Sequence, residues 1–156
     1  MLNLSVPGFG KLFLRHLVLD YNGTIAKDGE LIPGVCQRLL SLSEKLSIHV
    51  LTADTFGSAE GKLTGVPVTL HILGQGMQAE MKRDYVRSLS PETVVSIGNG
   101  RNDRLMLETS ALGFCVLQSE GAASGTLVAA DAVCREIADA LDLLLFPLRL
   151  TATLRS

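Results

Sequence analysis

The feature that narrows this chain most is a recurring break. Short apolar runs stop abruptly on a polar residue, and helical periodicity fills the intervals between them. Residues 17–19 end on Asp20, residues 48–51 on Thr52, and residues 94–97 pass through Gly98 to Asn99. Apolar runs of this length, bounded by polar turns, read as buried strands. Strands are further expected at 13–19 (which includes the first run), 66–73, 112–117 and 132–134. Between them, Pro33 followed by Val35, Leu39, Leu42 and Leu46 marks an amphipathic helix. Helices are also expected at 77–89, carrying Lys82 and closed by Ser90-Pro91, and at 58–63, 105–109 and 137–146, the last stopped by Pro147. Residues 25–32 flank Asp28-Gly29 with apolar ends and read as a hairpin. Residues 1–11 look like a loose lead-in, 120–129 a turn with small residues, and the segment after 147 a short tail.

Strands and helices that alternate in this way fold as a doubly wound α/β sheet with right-handed crossovers, here a three-layer, Rossmann-like, mostly parallel sheet in a single domain. A chain of 156 residues suits one core, and with 47% hydrophobic but only 4% aromatic residues that core must be aliphatic. In an open parallel sheet, ligands collect beyond the carboxyl ends of the strands. Asp20, Thr52 and Asn99 are therefore expected on one rim, with Lys82 on the helix feeding the strand that leads to Asn99. A carboxylate, a hydroxyl, an ammonium and a second acidic turn suit a phosphate and a hard cation. The turn at 98–103, Gly-Asn-Gly-Arg-Asn-Asp, spends two glycines around an amide, which is costly in backbone entropy unless the turn has a use.

The net charge of −2 gives no electrostatic reason to expect nucleic acid or an anionic membrane surface as partner. Cys36, Cys115 and Cys134 lie far apart among apolar residues and read as buried free thiols. The apolar N-terminal residues are interrupted too soon, by Gly8, Gly10, Lys11, Arg15 and His16, for a signal or spanning segment. A cytoplasmic protein is the expectation.

The order Asp20-x-x-Gly23-Thr24, then Thr52 after a strand, then Lys82, then Gly98-x-Gly100-x-Asn102-Asp103 resembles the haloacid dehalogenase (HAD) superfamily of phosphohydrolases. Thr52-Ala53-Asp54 and residues 98–103 look closest to the phosphorylation domain of P-type ATPases, and the whole chain looks like small soluble P-type-ATPase-like proteins. The resemblance spans about residues 13–146 and implies an HAD-like fold. It implies that Asp20 is a nucleophile forming an aspartyl-phosphate, and that Thr52 and the amide of Ala53 hold phosphate oxygens beside the Gly23 turn. Lys82 would bridge phosphate and Asp20. Mg2+ would be the cofactor, held by Asp20, the main-chain carbonyl of Asn22, Asn99 and Asp103, with Asn102 ordering the loop.

Two residues depart from the pattern. Asn22 stands where the phosphatases have an acid/base aspartate, and an amide can neither protonate a leaving alkoxide nor activate water. Asn99 stands where a metal-binding aspartate is usual, so the ion is expected to bind more weakly. Only 31 residues separate Asp20 from Thr52 and 29 separate Thr52 from Lys82, too few for a cap domain in either interval. The site is thus expected to be open, to a large phosphorylated substrate of unknown identity or to closure by another subunit in a homo-oligomer. The apolar residues of the tail, Phe146, Leu148, Leu150 and Leu154, could form that interface or pack on their own chain. The readings in competition are a slow Mg2+-dependent phosphohydrolase, a non-catalytic phosphate- or metal-sensing module on the same fold, and a phosphoacceptor receiver domain using Asp54. The last leaves the 98–103 turn unexplained.

Overall fold

The computed structural model describes residues 1–53 and 58–156. A six-stranded sheet runs through the middle of the chain. Its strands are β3 (His16–Asp20), β6 (Ser47–Thr52), β7 (Val68–Ile72), β8 (Val94–Gly98), β9 (Leu112–Val116) and β10 (Ala132–Cys134). They lie in the order β10-β9-β8-β3-β6-β7, and every neighbouring pair is parallel. Parallel pairing needs a crossover at each step, and the helices α1 (Val35–Ser43), α2 (Ser58–Lys62), α3 (Gln78–Ser88), α4 (Arg104–Thr109) and α5 (Ser124–Ala129) lie between the strands, while α6 (Ile137–Leu145) follows the last of them.

Residue alternation assigns the two faces of the sheet. Leu17 and Leu19 of β3, Ile48 and Val50 of β6, and Val95 and Ile97 of β8 pack with α1 and α6 in one aliphatic core. Val18, Leu51 and Val94 point the other way, to Val86 of α3 and to Met106 and Leu107 of α4. Asp20 shares its parity with Val18, so its side chain leaves the strand on the α3 side. This alternation is the local reason that a residue of α3 can reach it.

Several expectations need correcting. The lead-in is ordered: β1 (Leu2–Val6) and β2 (Gly10–Leu14) form an antiparallel hairpin, Leu2 paired with Leu14. Its buried residues Leu2, Leu4, Val6, Leu12 and Leu14 alternate with exposed ones, a period-two pattern that the Pro7-Gly8 turn divides. The strand expected at 13–19 is accordingly two strands, broken at Arg15. Pro147 begins a helix, α7 (Pro147–Leu154), instead of only ending one. Leu150 of α7 is fully buried and Leu154 packs against the core, while Phe146 and Leu148 remain exposed, so the tail packs largely on its own chain. The small-residue stretch likewise contains α5. The hairpin at 25–32 forms as β4 (Ala26–Lys27) paired with β5 (Glu30–Leu31). Cys115 and Cys134 are buried, Cys36 is only partly so, and all three are free thiols. Among the described residues, no helix is long and apolar enough to cross a membrane.

On the α3 face, His16 Nδ1 lies 3.1 Å from His49 Nε2, and His49 Nδ1 lies 2.9 Å from the Tyr85 hydroxyl. Burial, with the neighbouring His16 second, pushes His49 down to about 4. The unfolded chain therefore takes up a proton near pH 6.5 that the folded chain refuses until about pH 4. The stability that this group contributes is complete above pH 6.5 and is lost as pH falls toward 4. The urea midpoint is expected to drop over that interval, and to drop less in His49→Gln.

Candidate active site

The site is built at the carboxyl ends of β3 and β8, whose register pairs Leu19 with Ile97 and so brings Asp20 and Gly98 to the same edge. Gly98 is required there. A Cβ on it would fall 2.5 Å from Cβ and Cγ of Asp103, so only glycine lets the loop fold that carboxylate back against the strand end. Asp103 Oδ2 accepts the backbone N–H groups of Asn99 (3.0 Å) and Gly100 (2.8 Å). Its Oδ1 accepts from the Lys82 ammonium at 2.6 Å.

Lys82 is 1% exposed and also donates to Asp20 Oδ1, again at 2.6 Å. One buried ammonium thus bridges two buried carboxylates. Burial alone would discharge it; Asp20 and then Asp103 outweigh that and hold the amine protonated, above its ordinary range. Asp20 is pushed the other way. Burial first, then the charge of Asp103, raise its carboxyl to about 6 against the opposing pull of Lys82 and Thr24. The carboxylate form therefore prevails near neutral pH.

The second oxygen of Asp20 faces a different neighbour. Thr24 Oγ1 donates to Asp20 Oδ2 at 3.0 Å and lies 3.4 Å from Asn99 Oδ1. The Asn99 amide N–H donates to the carbonyl of Gly121 at 3.0 Å, while its oxygen faces Thr24. Gln118 holds the turn after β3 from above, donating to the carbonyls of Gly23 (2.7 Å) and Thr24 (2.8 Å). It does so from a left-handed backbone, φ 49°, a conformation that a non-glycine residue adopts only when its surroundings require it.

Of the residues singled out in the sequence, Asp20, Lys82, Asn99 and Asp103 meet in this one network. Thr52 is buried at the end of the adjoining strand, directly after Leu51, the register partner of Asp20, and Ala53 follows it. Asn102 lies one step out, donating to Gln78 Oε1 at 2.9 Å and tying the loop to the start of α3. Asn22 is exposed, in a bridge with Ala26. Asp54 lies outside the described residues. Sequence reasoning expected a turn at Glu120-Gly121 but overlooked its place at the site, and overlooked Gln118; the alignment of a turn with a distant strand end leaves no periodic signal.

A divalent ion fits the residues present. Gly23, at φ 82°, leaves a cradle: a Cβ there would lie 2.6 Å from Asn99 Nδ2, 2.8 Å from Asn99 Oδ1 and 2.9 Å from Glu120 Oε2. The side-chain oxygens gathered here are hard donors. No three His, Cys, Asp or Glu side chains form a closed cage among the described residues. Mg2+ does not need one, since it retains several waters and takes few protein ligands. A cavity of about 690 Å³ adjoins Gly23, between the β4–β5 hairpin and residues 117–120 and 135–136.

No family model matches the chain. An uncharacterized protein of Methanocaldococcus jannaschii is 52% identical over 62 residues, 40% of this chain and 67% of that protein. The phosphoserine phosphatase of Archaeoglobus fulgidus is 34% identical over 74 residues, 46% of this chain but only 21% of that enzyme. Among solved structures, the chain is similar to the cobalt-bound deoxy-D-mannose-octulosonate 8-phosphate phosphatase of Haemophilus influenzae. The TM-score is 0.72 at 13% identity, over 92% of this chain and 94% of that one. The chain has the haloacid dehalogenase (HAD) fold, which a putative HAD superfamily hydrolase of Legionella pneumophila shares with a TM-score of 0.72 at 14% identity, over 90% of this chain and 87% of that one. A further structure, the 3-deoxy-D-manno-octulosonate 8-phosphate phosphatase of Moraxella catarrhalis with magnesium, phosphate and a KDO molecule, matches with a TM-score of 0.69. Its identity is 13%, over 86% of this chain and 87% of that one. Identities this low speak for the HAD fold and not for a substrate. The fold here is the HAD core without a cap: the β4–β5 hairpin and α1 occupy one interval between site residues, and α2 and β7 lie in the other.

Proposed function

We propose that the chain is a Mg2+-dependent phosphohydrolase working through a covalent phosphoryl group on Asp20. The observation that carries this reading is the Lys82 ammonium, 2.6 Å from each of two buried carboxylates at the strand ends. A phosphate dianion approaching Asp20 meets like charge, and a fixed cation beside the nucleophile offsets that repulsion without reorganising. An oxygen of Asp20 attacks phosphorus and the ester P–O bond breaks, the leaving oxygen taking its proton from water. A second water then attacks the aspartyl-phosphate, releasing inorganic phosphate and regenerating the carboxylate. Thr52 and the amide of Ala53 hold the phosphoryl oxygens.

Asp20, the carbonyl of Asn22 and Asn99 Oδ1 would hold Mg2+, with Asp103 reaching its waters; when bound, the ion neutralises charge on the phosphoryl oxygens. The metal-bound phosphatases of like fold support this choice of cofactor. The cavity beside Gly23 gives room for the organic part of a phosphorylated substrate, and a large substrate or a second subunit would complete the uncapped rim. Three unpaired cysteines support a reducing, cytoplasmic setting.

The test is hydrolysis of small activated phosphomonoesters with and without Mg2+, compared with Asp20→Asn. Exposed Asn22 favours a second reading, in which the site binds phosphate and metal but does not turn over. Asn22→Asp distinguishes the two. General acid–base help contributes on the order of 10²–10⁴ in rate, so kcat is expected to rise about tenfold or more. An unchanged kcat in the folded variant would mean that the missing acid is not rate-limiting. Beryllofluoride titration with and without Mg2+ would report phosphoryl-mimic binding in either case.

A further inference from the structure

Asn99 brings an amide to a place where a cation needs charge, and a carboxylate beside it belongs to Glu120. Its Oε2 and the Asn99 amide border the same small space over Gly23, each within 2.9 Å of where a Cβ would stand. Among the described residues, Glu120 is in no ion pair. Asp103, by contrast, is committed to Lys82 and to two backbone N–H groups. The backbone around Glu120 is tied to the site from both sides. Gln118, two residues before, grips the carbonyls of Gly23 and Thr24; Gly121, the next residue, accepts the Asn99 amide and so sets which way its oxygen points. The Glu120-Gly121 turn thus both orients the neutral ligand and brings a negative charge beside it.

We propose that Glu120 is a residue of the metal site, supplying through the ion's water shell the charge that Asn99 does not. The inference rests on the metal-dependent reading above. It assigns to this chain a metal site of Asp20, Asn99 and Glu120, the last two bordering the space over Gly23, with the acid moved from the end of β8 to the turn after β9. Mg2+ keeps several waters and is well served by carboxylates that bind those waters.

Mn2+ binding, followed by the EPR signal of the free ion during titration of the full chain, tests this without any assay of activity. Loss of an outer-shell partner typically costs 10–100-fold in metal affinity, so Glu120→Gln is expected to weaken Mn2+ binding about tenfold or more. Asn99→Asp placed in the Glu120→Gln chain should restore most of the loss. Glu136→Gln removes a carboxylate from the neighbouring loop and should leave binding unchanged. Glu120 is exposed, so its replacement does not threaten the fold. Unchanged affinity in Glu120→Gln, or an equal loss in Glu136→Gln, overturns the assignment while leaving the metal-dependent reading in place. Failure of the parent chain to bind Mn2+ at all removes both.

Discussion

Asp20→Asn is expected to reduce Mg2+-dependent hydrolysis of a small phosphomonoester to background while leaving the chain folded. The amide has the shape of the carboxylate but no lone-pair charge with which to attack phosphorus. Its effect on stability runs opposite to that on activity. Burial and the adjacent Asp103 already press on the Asp20 charge, raising its carboxyl to about 6. The amide relieves that pressure and leaves Lys82 with one full partner, Asp103, at 2.6 Å. The urea midpoint at pH 7 should therefore hold or rise. Steady-state kinetics and a denaturation curve on one preparation check both halves. A folded Asp20→Asn protein that still turns over at the parent rate would end the covalent mechanism.

Lys82→Met is expected to be among the most destabilising substitutions at this rim. Methionine fills a similar volume, so packing is approximately kept and the loss is electrostatic. Removing one partner of a buried ion pair costs about 3–5 kcal/mol, because the remaining charge is left without compensation. Here two carboxylates lose the same partner. The sign with pH follows from linkage. Without the ammonium, Asp20 retains its proton to higher pH than in the parent, so the penalty is largest where that carboxyl should be ionised and shrinks as pH falls. Urea unfolding of parent and variant at pH 7 and pH 5 should show the gap narrowing. Adding Asp103→Asn to Lys82→Met should recover part of the loss at pH 7, since it removes one of the two stranded charges. A Lys82→Met chain as stable as the parent would mean that the bridging geometry contributes nothing to folding.

Much of the sheet was legible because parallel strands buried on both faces leave short apolar runs in the sequence, and each ends where its backbone meets the rim. Asp20 and Lys82 were recoverable because both sit beside such runs, the one at the end of β3 and the other on the helix before β8. The N-terminal hairpin was missed, although its alternation was present, because the broken apolar content around Pro7-Gly8 reads equally as a loose segment. Helix α7 was missed because proline serves both as a stop and as a first-turn residue, and only the burial of Leu150 against the core separates the two.

Composition, strand-ending polar residues and glycine placement by themselves settled the α/β class and put forward the short list of side chains that are proposed to act on phosphate. They depend on local backbone preference and on burial, which neighbouring residues encode. What only the tertiary structure decided is which of those side chains touch. Lys82 meets Asp20 across 62 positions of sequence, Asn99 is oriented by Gly121 and shares the space over Gly23 with Glu120. Such contacts arise from the register and twist of neighbouring strands, and no local pattern along the chain records them.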